Sequence, residues 1–177
     1  MSIHSRTARR KAQGREEHTL RMDAGIYYVW VAGSCDYAHQ ERCSAGAYIM
    51  QLDNKLLHTF TLGDNHTTEF RMILSAMIHA MKRVPAGSDI VFLSNVSYIQ
   101  QNFSREPSDK PRANADLLQE CRSMQANHHS TTVKFIPFHK YNTLQEANRL
   151  AHQAMEEQRN ALRNPSTPPW QPLANDE

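Results

Sequence analysis

Ile26-Tyr-Tyr-Val-Trp-Val-Ala-Gly-Ser-Cys35 is the stretch on which the fold turns. Its first six residues are all β-branched or aromatic, which predicts a buried strand over Ile26 to Val31, and Gly33-Ser34 predicts a turn directly after it. Two further extended stretches follow, Ala45 to Leu52 and Leu56 to Leu62, with Asp53-Asn54 between them as a hairpin tip. Three antiparallel strands therefore open the chain.

From Thr67 the period changes. Phe70, Ile73, Leu74, Met77, Ile78 and Met81 recur at steps of three and four, the pattern of an amphipathic helix, with Glu69 suiting its dipole and Pro85-Ala-Gly87 stopping it. Ile90 to Leu93 reads as a fourth strand and Val96 to Phe103 as a helical stretch. Ser104 to Arg112 is a loop by composition, and Asn114 is placed to cap a helix carrying Leu117, Leu118, Cys121 and Met124. Val133 to Phe138 is the fifth strand. Thr143-Leu-Gln-Glu146 has the form of a capping box, followed by Ala147, Leu150, Ala151 and Ala154 on one helical face. The order β-β-β-α-β-α-α-β-α implies an α/β fold of the mixed α+β kind, a five-stranded mixed sheet flanked by helices.

The chain has 177 residues, 40% hydrophobic and 21% charged, which suits one folded domain and argues against wholesale disorder. No window approaches the ~18 apolar residues of a membrane span, and the first twenty residues are basic and polar rather than a secretory signal, so a cytoplasmic protein is expected. The net charge of +2 divides unevenly. Residues 1–22 hold six basic and two acidic side chains, residues 23–163 hold 14 of each sign, and residues 164–177 add Asp176 and Glu177. These are read as a basic flexible arm, a neutral folded body and a Pro-rich acidic tail. The arm, with Arg9, Arg10 and Lys11, suggests an anionic partner such as nucleic acid, or else a solvated terminus. Three cysteines without a signal argue for free thiols over a disulfide framework. Cys35, His39 and Cys43 lack the spacing of a zinc knuckle, so no metal site is expected there.

Several words within this order resemble the ribonuclease HI family. Val31-Ala-Gly-Ser-Cys35 is similar to the family's first strand, usually T-D-G-S-C, and Ala45-Gly-Ala-Tyr48 to its second. Arg71-Met72 lies where family members carry R-M-E-L, Leu93-Ser-Asn-Val-Ser97 resembles L-S-T-D-S, and Ala147-Asn-Arg-Leu-Ala151 resembles A-D-x-L-A, with His139 near the family's mobile-loop histidine. The resemblance spans about Ile26 to Glu157.

Membership would imply cleavage of the RNA strand of an RNA–DNA hybrid by two magnesium ions held on four carboxylates. Residue by residue, those four positions are Ala32, Ile73, Val96 and Asn148, none of them charged. Hard divalent cations need oxygen ligands, so the resemblance implies a scaffold with its metal site filled in and no metal or other cofactor. A nuclease with a rearranged, magnesium-dependent site would have to draw on Asp36, Glu69 and His139. The stretch between the fourth and fifth strands, where some members carry a basic protrusion, sums to zero: Arg105, Lys110, Arg112 and Arg122 against Glu106, Asp109, Asp116 and Glu120. Lys134, Lys140 and Arg149, near the family's cleft, are the body's candidates for nucleic-acid contact. The expectation is a catalytically inactive domain that binds an RNA–DNA hybrid or duplex or acts as a regulatory module. A protein-interaction module, with Trp170 in Pro168-Pro-Trp-Gln-Pro172 as a docking segment, is the alternative.

Overall fold

A computed structural model of the chain describes residues 20–106, 110 and 112–163. Arg9, Arg10, Lys11 and Trp170 lie outside the described residues. The opening run forms β1 (Ile26–Cys35), which continues through Gly33-Ser34 where the sequence predicts a turn. The glycine is needed for a close approach instead: a Cβ on Gly33 would lie 2.8 Å from Ile73 Cγ1 and 2.9 Å from Glu69 Cγ. The helix that carries these two residues thus packs directly on the strand.

β1 pairs antiparallel with β2 (Ser44–Leu52), and β2 with β3 (Lys55–Asp64). At the tip between them Asp53 and Asn54 take φ of 51° and 60°, the left-handed pair of a two-residue hairpin turn. Met50 pairs with His58 and Gln51 with Leu56, so Leu57 is an extra, bulged residue, and Leu56 is returned to the face of Gln51. Then come α1 (Glu69–Arg83), β4 (Asp89–Ser94), α2 (Ser97–Asn102), α3 (Ala115–Gln125), β5 (Ser130–Phe135), a 3-10 turn (Phe138–Lys140) and α4 (Asn142–Arg163). Thr68 caps α1, its hydroxyl accepting from the Arg71 amide at 3.3 Å. β4 is parallel to β1 and β5 parallel to β4, giving the mixed sheet β3-β2-β1-β4-β5. The five strands and flanking helices are those the sequence implies.

Three local expectations are corrected. β5 runs over Ser130–Phe135 and stops short of Pro137, whose ring nitrogen has no proton to continue a ladder; the buried Ile136 still donates its amide to the Ser94 carbonyl at 2.9 Å. Asn114 occupies the N-cap position of α3 but its side chain makes no capping bond. It sits at φ 63°, and its side chain bridges Arg71 and the Tyr98 hydroxyl at 3.4 and 2.9 Å. The capping box does not form either, because α4 begins at Asn142 and the Glu146 carboxylate is taken by Arg149.

Two apolar clusters sandwich the sheet. Val29, Val31, Tyr48, Phe92, Ile73 and Met77 meet on the α1 face, and Tyr28, Trp30, Ala32, Leu144, Ala147 and Ala151 on the α4 face. The alternation along β1 sends odd residues to one cluster and even residues to the other. Among the described residues no helix is long and apolar enough to cross a membrane. Cys35, Cys43 and Cys121 are free thiols, and burial pushes the Cys121 thiol up to about 12.

Candidate functional site

Ala32 lies near the carboxyl end of β1 and Val96 two residues past the end of β4, while Ile73 and Asn148 are on α1 and α4, the helices that pack on the two faces of the sheet. Ala32 is 2% exposed and packs in the α4-side cluster with Ala47, Leu93, Ala147 and Ala151. Ile73 is fully buried on the opposite side of the sheet, against Gly33. Val96 directly precedes α2 and packs on that same α1-side cluster, while Asn148 is half-buried on α4. One side-chain amide is the whole donor set, and two of the four positions are sealed inside hydrocarbon. These residues do not fit a pair of magnesium ions, whose charge and dehydration require several carboxylate oxygens. Among the described residues no group of three His, Cys, Asp or Glu is placed to hold a metal.

The residual acids are engaged or isolated. Asp36 is buried; its Oδ2 accepts from His39 Nδ1 at 2.7 Å and from Arg159 at 3.2 Å, and Oδ1 accepts from the Ala38 amide at 3.2 Å. Burial would raise its pKa, yet these donors hold the carboxyl below its usual value. Arg163 donates to His39 Nε2 at 3.0 Å, so the loop after β1 is tied to the end of α4 by a closed polar cluster. Glu69 is the first residue of α1, its stem over Gly33, and burial raises its pKa with no cation to oppose it. His139 is exposed on the 3-10 turn, edge-on to Phe138. Asp36 is thus spent on Arg159 and His39, while Glu69 belongs to a different element and His139 to a third.

No protein-family model and no curated protein matches this sequence. Solved structures do. LC9-RNase H1, described as a type 1 RNase H with the type 2 active-site motif, superposes with a TM-score of 0.65 at 17% identity, over 78% of this chain and 76% of that one. The N-terminal RNase H domain of a Mycobacterium tuberculosis protein gives 0.65 at 11% identity, over 78% and 99%. A foamy viral protease-reverse transcriptase in complex with RNA/DNA hybrid gives 0.64 at 14%, over 80% of this chain and 22% of that one. The fold is ribonuclease H-like. Identities this low speak for the fold, and the chemistry rests on the residues present in this chain.

On this ribonuclease H-like body the basic side chains are unevenly committed. Arg149 is exposed but forked onto Glu146 at 2.6 and 2.9 Å and bonded to Gln153, which spends most of its charge locally. Lys134 and Lys140 are exposed. The decisive rearrangement lies between β4 and β5, in α3 and the segment before it, where the linear charge is zero. Asp116 turns to Arg71 of α1, a bidentate pair at 2.8 and 2.9 Å that drives its pKa down to about 2, and Glu120 turns to Lys82 at 3.3 Å. Their departure leaves Arg105, Lys110, Arg112 and Arg122 around a cavity of about 120 Å³ with Glu106 as the one carboxylate among its described lining residues. The Arg122 and Arg112 guanidinium groups donate to the Arg105 and Glu106 carbonyls at 2.9 and 3.4 Å, bonds that orient them without cancelling their charge. Sequence summation missed this cluster; the i, i+4 spacing of Asp116 and Glu120, one face of one helix, is the signal that finds it.

Proposed function

We propose that this chain is a catalytically silent ribonuclease H-like domain that binds nucleic-acid duplex, the RNA–DNA hybrid included, without cutting it. The observation that carries this reading is the hydrocarbon at the metal positions: Ile73 and Ala32 are core residues, and Glu69, one turn earlier on α1 over Gly33, is a single carboxylate where two magnesium ions would need several. Binding is supported by the cationic cavity of Arg105, Arg112 and Arg122, by exposed Lys134 and Lys140, and by the basic residues 1–19. One structurally similar protein, the foamy viral reverse transcriptase, is known with an RNA/DNA hybrid bound. A cytoplasmic setting agrees with the free thiols.

The test is anisotropy of a labelled hybrid, titrated across salt with magnesium, with manganese and with chelator, with the same samples run on a denaturing gel. Binding should survive chelation and weaken steeply with salt, and the hybrid should stay intact. Arg112→Ala with Arg122→Ala should lower the salt slope by about one for each phosphate no longer neutralised. Metal-dependent cleavage abolished by Glu69→Gln or Asp36→Asn would establish a rearranged nuclease instead. Failure to bind any duplex would shift the function to protein partners, for which exposed Leu56 and Leu57 on β3 are the observed surface.

A further inference from the structure

We propose that the groove between β3 and the N-terminal half of α4 is the docking site of the chain's own segment Pro168-Pro-Trp-Gln-Pro172, with the Trp170 indole as its anchor. In the C-terminal half of α4, Gln158 bonds Asn65 and lies against Gly63 of β3. Towards its N-terminus the two elements part and leave a groove of about 490 Å³, walled by Ile49, Gln51, Leu56, Thr59, Thr143 and Leu150. Two of its polar groups are already paired: Gln51 Oε1 accepts from Trp30 Nε1 at 2.7 Å, and Glu146 at the rim holds Arg149. The Thr59 and Thr143 hydroxyls interrupt a wall otherwise formed by Ile49, Leu56 and Leu150, and Leu56 is 65% exposed in it, so the complementary occupant is large and mainly apolar.

The length of the chain selects that occupant. α4 ends at Arg163, and the groove lies alongside Glu146 to Leu150. At 1.5 Å per helical residue that is about 20–26 Å back along the helix. Trp170 follows Arg163 by seven residues, three of them proline, and a Pro-rich segment near 3.1 Å per residue spans about 22 Å. The indole therefore reaches the groove if the segment returns antiparallel to α4. Trp170 is also the sole Trp, Tyr or Phe outside the described residues, whereas residues 1–19 are basic and contain none of the three. Prolines on both sides restrict the free segment, which lowers the ordering cost of docking.

The test uses the full chain labelled with 5-fluorotryptophan, which gives two fluorine resonances, one from buried Trp30 and one from Trp170, assigned with Trp170→Phe. The Trp170 resonance should be shifted from that of a free peptide of residues 164–177 and lack the solvent-isotope shift of an exposed indole. Leu56→Glu, at an exposed position, and Leu150→Lys should each return it to the free position while the Trp30 resonance stays, reporting an intact core. The shift should be unchanged on tenfold dilution. A Trp170 resonance already at the free position, or one unmoved by both groove variants, would overturn the proposal. So would loss of the shift on dilution, which would seat the segment on a second copy.

Discussion

Replacing Ile73 tests whether the position that the sequence resemblance matches to a ribonuclease HI carboxylate is a core position in this chain. Its side chain is fully buried, with Cγ1 where any side chain on Gly33 would collide, so the space cannot be filled by relaxation of that strand. Ile73→Ala removes three buried methylene equivalents at about 0.8 kcal/mol each and leaves a cavity, for a loss of roughly 3–4 kcal/mol. Ile73→Glu should cost at least as much at neutral pH, because an ionised carboxylate there has no metal and no cation to meet it. The sign with pH follows from burial. The glutamate's folded-state pKa is raised above its unfolded value, so the penalty is largest above the raised value and shrinks as the pH falls towards about 4.3. Urea unfolding followed by far-ultraviolet circular dichroism at several pH values measures both quantities, provided the denaturant slope is unchanged. Losses below about 1 kcal/mol for both variants, with no pH dependence for the glutamate, would refute the reasoning, since the magnitude of a buried-site substitution could not be that small.

Other outcomes follow from single side chains. A methyl on Gly46 would be driven into the backbone carbonyl of Met72, so Gly46→Ala should lower the melting temperature by about 5 °C or more. Gly63→Ala meets the movable side-chain amide of Gln158 and, at an ordinary 3.4 Å, the Ser44 carbonyl, and should shift the same melting curve by no more than about 2 °C. The Arg71–Asp116 pair is solvent-exposed, so Asp116→Asn should cost less than about 1 kcal/mol. Because the folded pKa of Asp116 is held at about 2, below its ordinary 3.8, the pair's contribution is present above 3.8 and lost as the pH falls through that window. Acid titration of wild type and variant should therefore converge near pH 2. Burial, then His58, Arg83 and Lys82, depress the pKa of His79, whose ring stacks on Phe60 at 3.6 Å and whose Nδ1 bonds the Tyr48 hydroxyl at 2.8 Å. Stability should fall as the pH drops below about 6.5, and the Tyr48→Phe, His79→Phe double variant should show a shallower slope in chemical denaturation.

The strands and helices were legible because their signals are local. Six consecutive β-branched or aromatic residues and the three-and-four spacing from Phe70 to Met81 specify β1 and α1 without reference to the rest of the chain. Where the reading slipped, a distant residue decided the outcome. Gly33 has the composition of a turn but serves the approach of Ile73 from 40 positions further along the chain, and Glu146 has the spacing of a cap but bonds Arg149 one turn further into the helix. A glycine is equally suited to a bend and to a close backbone approach, and nothing in its neighbours separates the two uses.

The site divides in the same way. That no carboxylate stands at 32, 73, 96 or 148 is a matter of identity and was visible at once, whereas the location of the positive charge is a matter of direction. A sum over residues 105–122 treats every charge as though it faced one partner. On a helix, Asp116 and Glu120 share one face, and that face looks at Arg71 and Lys82 of α1. Pairing there removes two negative charges from the field of Arg105, Arg112 and Arg122 without altering the net charge of the chain. The consequence can be separated experimentally from overall charge. Lys82→Ala frees Glu120 and Arg71→Ala frees Asp116, and each lowers the total positive charge by one. Asp116→Asn and Glu120→Gln raise it by one each, but at positions already turned from the cavity. If binding follows net charge, the first pair weakens and the second strengthens duplex affinity by similar factors. If it follows the field at the cavity, all four change it less than Arg122→Ala, whose guanidinium lines the cavity and has no carboxylate partner among its described hydrogen bonds.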